Sequence, residues 1–408
     1  MKIIIPLIIL LTLFSCNNQS QNKSEQEPIK EAIILPDNAI PFIYKGGVIM
    51  DIKVNDSIMG SFLFDTGSDQ LYLDSSFVAN NNILTQKGRT KEISGVGANT
   101  PRVPVSDNIK LEIDSLTITY NNVPVLNLNS IRGEKIDGIF GIDIFRSSVL
   151  RINFDSSYFQ IIKPSDFVIP SEHDSLKITI AGNKTFIKCK ALILDSLNVD
   201  GFAMLDLGSG HNLTFTSVIA HDFNFNDNIT NKYSVTHKNA GYGGDSHSYY
   251  FRAKKLNIGK YTLENPVMNY STDESGGLSM WGPMGLIGIG VMKRFDLIFD
   301  FPNKKLYFKP NSLFNEHFFS STTGFTGKYR ESDSVAGFII GNVIENSPAS
   351  AAGIKPGDII THLNGLEILS YPDTERNNLF LQDTMELEFK IKRGTESHIV
   401  KFVPREML

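Results

Sequence analysis

Two short segments of this 408-residue chain place an aspartate on a glycine turn directly after an apolar run. They are Ser61-Phe62-Leu63-Phe64-Asp65-Thr66-Gly67-Ser68 and Gly201-Phe202-Ala203-Met204-Leu205-Asp206-Leu207-Gly208-Ser209. Two carboxylates held about 3 Å apart cannot both ionise, so they share one proton and together offer an acid and a base. Taken alone, Asp65-Thr66-Gly67-Ser68 is an ordinary turn, because Asp, Gly and Ser favour turns in any protein. What lifts it above that is its recurrence.

Each aspartate segment opens a longer unit, and the two units match feature by feature. A Gly-rich turn follows in both, Ser94-Gly95-Val96-Gly97 and Gly241-Tyr242-Gly243-Gly244. Strand-like stretches follow at Ile109 to Leu128 and Ala253 to Tyr270. Both units then reach apolar-apolar-Gly, as Gly138-Ile139-Phe140-Gly141 and Gly285-Leu286-Ile287-Gly288, and close with hairpins Leu150 to Pro164 and Phe295 to Pro310. Asp206 follows Asp65 by 141 residues, Gly288 follows Gly141 by 147 and Pro310 follows Pro164 by 146. Five features in one order at near-constant spacing read as two copies of one lobe. Short β-branched and aromatic runs with turn signals such as Asn55-Asp56 and Asn121-Asn122 make the chain mostly β.

Over residues 39 to 318 these units resemble the lobes of pepsin-like and retropepsin-like aspartic peptidases. The resemblance implies a cleft across which Asp65 and Asp206 face each other as catalytic residues. It implies support from Thr66, Gly67, Ser68, Gly208 and Ser209, and flap turns at Gly95, Gly97, Gly243 and Gly244. Such a dyad is the standard case of two carboxyls sharing a proton. The ionised member takes a proton from water, the water attacks the peptide carbonyl, and the protonated member supports the oxyanion. Leu207 departs from the family, which has a hydroxyl residue there to tie the lobes together. His211, Trp281 and Tyr242 stand where they could line or shape the cleft, with nothing but position to recommend them.

The chain has two cysteines. Cys16 closes the apolar run Ile3 to Phe14, which is too short to span a bilayer and reads as a signal peptide. Leu13-Phe14-Ser15-Cys16 resembles the lipobox of bacterial lipoproteins, implying cleavage before Cys16 and lipidation of its thiol. Residues 17–38 form a polar tether with little to bury. The implied location is the bacterial cell envelope, with the protein exported and held to a membrane by lipid. Cys189 alternates with Ile187 and Ala191, the pattern of a small buried residue.

From residue 319 to 408 the chain resembles a PDZ domain. The carrying stretch runs Gly337-Phe338-Ile339-Ile340, then Asn346-Ser347-Pro348-Ala349, Ala352-Gly353-Ile354-Lys355-Pro356-Gly357-Asp358-Ile359-Ile360 and Leu363-Asn364-Gly365. The resemblance implies capture of a peptide C-terminus by a carboxylate loop at Gly324, Phe325 and Thr326, with a groove helix over Asp373 to Gln382 after Pro372. Thr323-Gly324-Phe325-Thr326 departs from the usual Gly-Leu-Gly-Phe. A spacer or intramolecular lid is the other reading of this domain.

The expected architecture is therefore a signal segment, the tether, lobe 1 over 39–165, lobe 2 over 166–318 and a PDZ domain over 319–408. The expected activity is a monomeric, lipid-anchored aspartic endopeptidase acting on peptide or protein substrates. No cofactor or metal is implied: there is no H-E-x-x-H, no Cys/His cluster and no G-x-S-x-G elbow. A net charge of −5 without a basic stripe gives no sign of nucleic acid. Two other readings compete: a non-catalytic peptide-binding protein with a degenerate second lobe, and a dyad built from Asp65 of two molecules.

Overall fold

The computed structural model describes residues 35–97, 99–129, 135–237, 243–280, 282–332, 335–376, 379–381 and 385–408. The lipobox at Cys16, most of the tether, Gly241, Tyr242 and Trp281 lie outside these residues.

The chain is mostly β. Its internal repeat reappears as two ten-stranded sheets with the same strand order. The first runs from Thr85–Glu92 through Arg102–Ser106, Val123–Leu126, Tyr72–Asp74, Gly138–Phe140, Ile58–Phe64, Val48–Val54 and Ile109–Ile113 to Leu116–Tyr120. The second runs in step from Lys232–His237 through Ser246–Arg252, Val267–Ser271, Leu213–Phe215, Gly285–Gly288, Leu197–Asp206, Lys184–Leu194 and Lys255–Ile258 to Tyr261–Glu264. Even the parallel pairings coincide. Gly138–Phe140 runs parallel to the strand that delivers Asp65, and Gly285–Gly288 parallel to the strand that delivers Asp206.

Side-chain patterns explain which strands are central. Ile109–Ile113 alternates buried Ile, Leu and Ile with half-buried Lys and Glu, the signature of a strand covered on one face. Phe62, Leu63 and Phe64 are all fully buried, so the strand leading to Asp65 is covered on both faces. Cys189 is buried in Lys184–Leu194, as its alternation predicts, with its sulfur 3.8 Å from that of Met284. Burial pushes its thiol up to about 12, so it holds a proton and is no nucleophile.

The closing hairpins join the lobes. Val149–Asn153 pairs antiparallel with Phe295–Asp300 at the centre of a six-stranded sheet shared by both lobes. One hydrophobic core runs through both lobes. Arg151 of the first lobe and Asp296 of the second clasp each other bidentately across this sheet, at 2.6 and 3.1 Å.

The PDZ domain has its own six-stranded sheet and a separate core built on Phe325, Phe338, Phe389 and Phe402. Asn364-Gly365 makes the expected tight hairpin, both residues at positive φ, between the paired Leu363 and Leu366. The groove helix is shorter than expected. The described helix is the single turn Asp373–Arg376, followed by a turn at 379–380, and residues 377–378 and 382–384 are outside the described set. Arg252 of lobe 2 holds this domain by donating to the Leu408 carbonyl and to the Glu406 carboxylate.

Candidate active site

Both aspartates sit where an inner strand runs out into its glycine turn, and the two turns repeat each other bond for bond. Asp65 Oδ1 accepts N–H groups from Gly67 at 2.8 Å and Ser68 at 3.1 Å. Asp206 Oδ1 accepts the corresponding pair from Gly208 at 3.0 Å and Ser209 at 3.1 Å. Each carboxylate is thus aimed by the backbone that follows it. Asp65 lies close enough for its charge to act on the Asp206 carboxyl.

The motif glycines are needed for this approach. A Cβ on Gly67 would lie 2.6 Å from the Asp206 carboxyl carbon, and one on Gly208 would lie 2.3 Å from that of Asp65. Any side chain there would drive the pair apart. Burial first, and then the charge and hydrogen bond of Asp65, hold the Asp206 carboxyl well above the ordinary carboxylate range, against the two backbone N–H groups that pull it down. Beneath the pair, the buried Thr66 hydroxyl of lobe 1 bonds to the backbone of lobe 2. Leu207, fully buried at the matching place, returns no such bond. Ser68 Oγ is spent on the carbonyl of Gln70.

The flap turns meet. The first flap ends the hairpin of Thr85–Glu92 and Arg102–Ser106, and the second that of Lys232–His237 and Ser246–Arg252. Asn99 N–H donates to the Gly243 carbonyl at 2.7 Å, and a Cβ on Gly97 would sit 2.2 Å from that oxygen. Gly95 accepts from Gly277 N–H at 3.1 Å. Gly244, at φ +90°, stands over the Asn99 side chain. The Gly276-Gly277 contact was not foreseen, although a Gly-Gly pair with φ +89° at Gly276 is a visible turn signal.

Under the flaps lies a cavity of about 1020 Å³ that contains both aspartates, Gly67, Gly208, Gly95 and Gly97. His211 lines it, together with His237, which sequence reasoning missed. Burial and then the neighbouring His237 lower the His211 imidazole to about 3.

The PDZ domain forms one wall of this cavity. Thr326, Lys328 and Arg330 share one face of Phe325–Ser332 by strand alternation, and Ile339 and, at a β-bulge, Gly341 of the adjoining strand line the cavity too. Arg330 Nη1 bonds the Asn129 carbonyl of lobe 1 at 3.2 Å. Within the carboxylate loop, Gly324 N–H already donates to Ser321 Oγ at 3.0 Å, and buried Phe325 packs against Phe380.

A family model described as aspartyl protease matches residues 50–144, and one described as PDZ domain matches residues 287–401. The first contains the Asp65 turn and first flap. The second begins inside the closing part of lobe 2. The chain is 36% identical over 70 residues to "Serine protease HTRA2, mitochondrial" of Drosophila persimilis and equally to that of Drosophila pseudoobscura pseudoobscura. That stretch is 17% of this chain and 16% of each relative, so the chain spans under a fifth of the curated relatives it matches. A crystal structure of an aspartic proteinase from Irpex lacteus is similar at 14% identity and a TM-score of 0.41, over 69% of this chain and 98% of that one. The chain thus carries an aspartyl protease domain and a C-terminal PDZ domain.

Proposed function

We propose that this chain is an aspartic endopeptidase whose two lobes each contribute one member of the catalytic dyad. The observation that carries the reading is the matched pair of turns, with Gly67 and Gly208 each pressed against the opposite carboxylate. The pair shares one proton, held on the Asp206 side by its burial and by the charge of Asp65. A water bound between the carboxyls gives a proton to the ionised member and attacks the peptide carbonyl. The protonated member then donates to the oxygen that gains charge. Flap turns that touch above the dyad must part to admit a chain and close over it, keeping bulk water from the reaction.

Within this reading the PDZ hairpin gates the cleft, since its Thr326, Lys328 and Arg330 face the cavity that substrate would enter. Cys16 carries lipid, so the catalytic unit works at a membrane surface on the end of a polar tether. A second reading, peptide binding without cleavage, is favoured by Leu207, which lacks the hydroxyl its lobe would use to complete the grip. Peptide cleavage by wild type, Asp65→Asn and Asp206→Asn from about pH 3 to pH 8 separates the two. Loss of orders of magnitude in both variants supports the dyad. No cleavage by wild type, with peptide binding intact, supports the second reading.

A further inference from the structure

The strand registers make the cleft's two halves comparable residue by residue, and their chemistry differs at several matched places. Ile139 pairs with Tyr72 in the first lobe as Leu286 pairs with Thr214 in the second, so Tyr72 and Thr214 are equivalent. Val125 pairs with Leu73 as Tyr270 pairs with Phe215, which makes Pro124 equivalent to Asn269. Pro124 pairs with Val105 as Asn269 pairs with Tyr250, so Val103 matches Ser248 and Val105 matches Tyr250. Lys91 pairs with Val103 as Val235 pairs with Ser248, and two residues further along each flap Ile93 matches His237.

The first-lobe wall is mainly apolar, with the Tyr72 phenol and the Ser94 hydroxyl beside it. Ile93, Leu126, Leu128 and Ile139 line the cavity, backed by a hydrophobic cluster that includes Val103 and Leu63. At four matched places the second lobe carries a hydrogen-bonding group: His237 for Ile93, Ser248 for Val103, Tyr250 for Val105 and Asn269 for Pro124. Elsewhere the lobes agree, with Leu286 for Ile139 and Thr214 for the Tyr72 phenol. The Tyr250 hydroxyl bridges His211 Nδ1 at 3.2 Å and His237 Nε2 at 3.0 Å, and Thr214 Oγ1 donates to Asn269 Oδ1 at 2.9 Å. One hydroxyl serves both imidazoles, which leaves each ring a second nitrogen that the phenol does not engage. Burial lowers both histidines, so these two rings are polar but uncharged.

We infer that the cleft selects peptide bonds with a large apolar side chain on the lobe 1 side and a neutral hydrogen-bonding side chain, of the carboxamide kind, on the lobe 2 side. This rests on the cleft being the substrate site proposed above. A polar wall loses hydrogen bonds when an apolar side chain covers it, whereas a carboxamide can both donate and accept there.

Four peptides that differ only at the two residues flanking the scissile bond test this: Leu–Leu, Gln–Gln, Leu–Gln and Gln–Leu. One mixed order should be cleaved with a kcat/KM about tenfold or more above Leu–Leu. His237→Ile, which installs the first-lobe residue, should abolish or invert that preference. Leu–Leu cleaved as well as or better than both mixed peptides by wild type overturns the inference whatever the variant does. Non-cleavable reduced-amide versions of the four peptides separate this from a failure of the chemistry. Absence of all cleavage with the mixed order still bound best overturns the peptidase reading and keeps the inference. Uniform or Leu–Leu-preferring binding overturns the inference itself.

Discussion

Thr66 and Leu207 are joined across the lobe boundary by one hydroxyl, which accepts the Leu207 N–H at 2.9 Å and donates to the Leu205 carbonyl at 2.8 Å. A symmetric grip would have a second hydroxyl at position 207 making the reverse pair. With Leu there, Thr66 alone hydrogen-bonds the turn of the other lobe in this way. Thr66→Val keeps the shape and strands a buried N–H and a buried carbonyl. It should cost about 1–3 kcal/mol, read as a lower denaturant midpoint, with a fall in peptide cleavage beyond what unfolding explains. Serine at 66 should restore most of both. A valine variant as stable and active as wild type would remove Thr66 from the support of the dyad.

Much of this arrangement was legible in the residues. The two aspartate turns, the apolar-apolar-Gly strands and the flap glycines announce themselves because a repeated local pattern needs no knowledge of packing. The PDZ turns at Pro356-Gly357 and Asn364-Gly365 are legible for the same reason, since positive φ at Gly357, Asn364 and Gly365 is a local demand. What stayed hidden depends on register. Whether His237 faces the cleft or solvent is decided by a pairing with Ser246 that a one-residue slip would invert. Tyr250 joins His211 to His237 although it lies 39 residues from one and 13 from the other. The PDZ face over the cleft is a tertiary fact with no local trace.

The proposed anchor is tested at its one nucleophile. Cys16→Ser removes the thiol that would carry lipid, so the protein should be unlipidated and either uncleaved or released in soluble form. Metabolic labelling with a fatty-acid analogue, beside fractionation of membranes, reads both. Label and mature membrane-bound protein at wild-type levels in the variant would dismiss the lipobox.

Gating by the PDZ hairpin predicts a dependence on substrate size. Arg330 reaches the Asn129 carbonyl of lobe 1 and helps hold the hairpin over the cavity. Arg330→Ala loosens that latch and should raise kcat/KM several-fold on an unfolded protein substrate, because a bond from a charged group contributes on the order of 1.5–3 kcal/mol. A peptide short enough to fit beneath the hairpin should gain little. Equal effects on both substrates would mean the hairpin is a fixed wall and no gate.

The dyad also leaves a signature in stability. The folded state raises the Asp206 carboxyl well above its ordinary value of 3.8, through burial and then the charge of Asp65, so it binds a proton more tightly than the unfolded chain does. The contribution of this proton is therefore fully present below pH 3.8 and is lost as pH rises through the folded value. Asp206→Asn keeps the shape and has no proton to lose. Its melting temperature should be close to that of wild type at the acid end, then gain on wild type steadily as pH climbs towards neutrality. The same variant should cleave peptides orders of magnitude more slowly at every pH. Stability and activity thus move in opposite directions at neutral pH, as expected where two carboxyls are forced together for chemistry. A variant that tracks the wild-type melting curve from acid to neutral pH would mean that Asp206 is solvated and unpaired, and the dyad would fall with it.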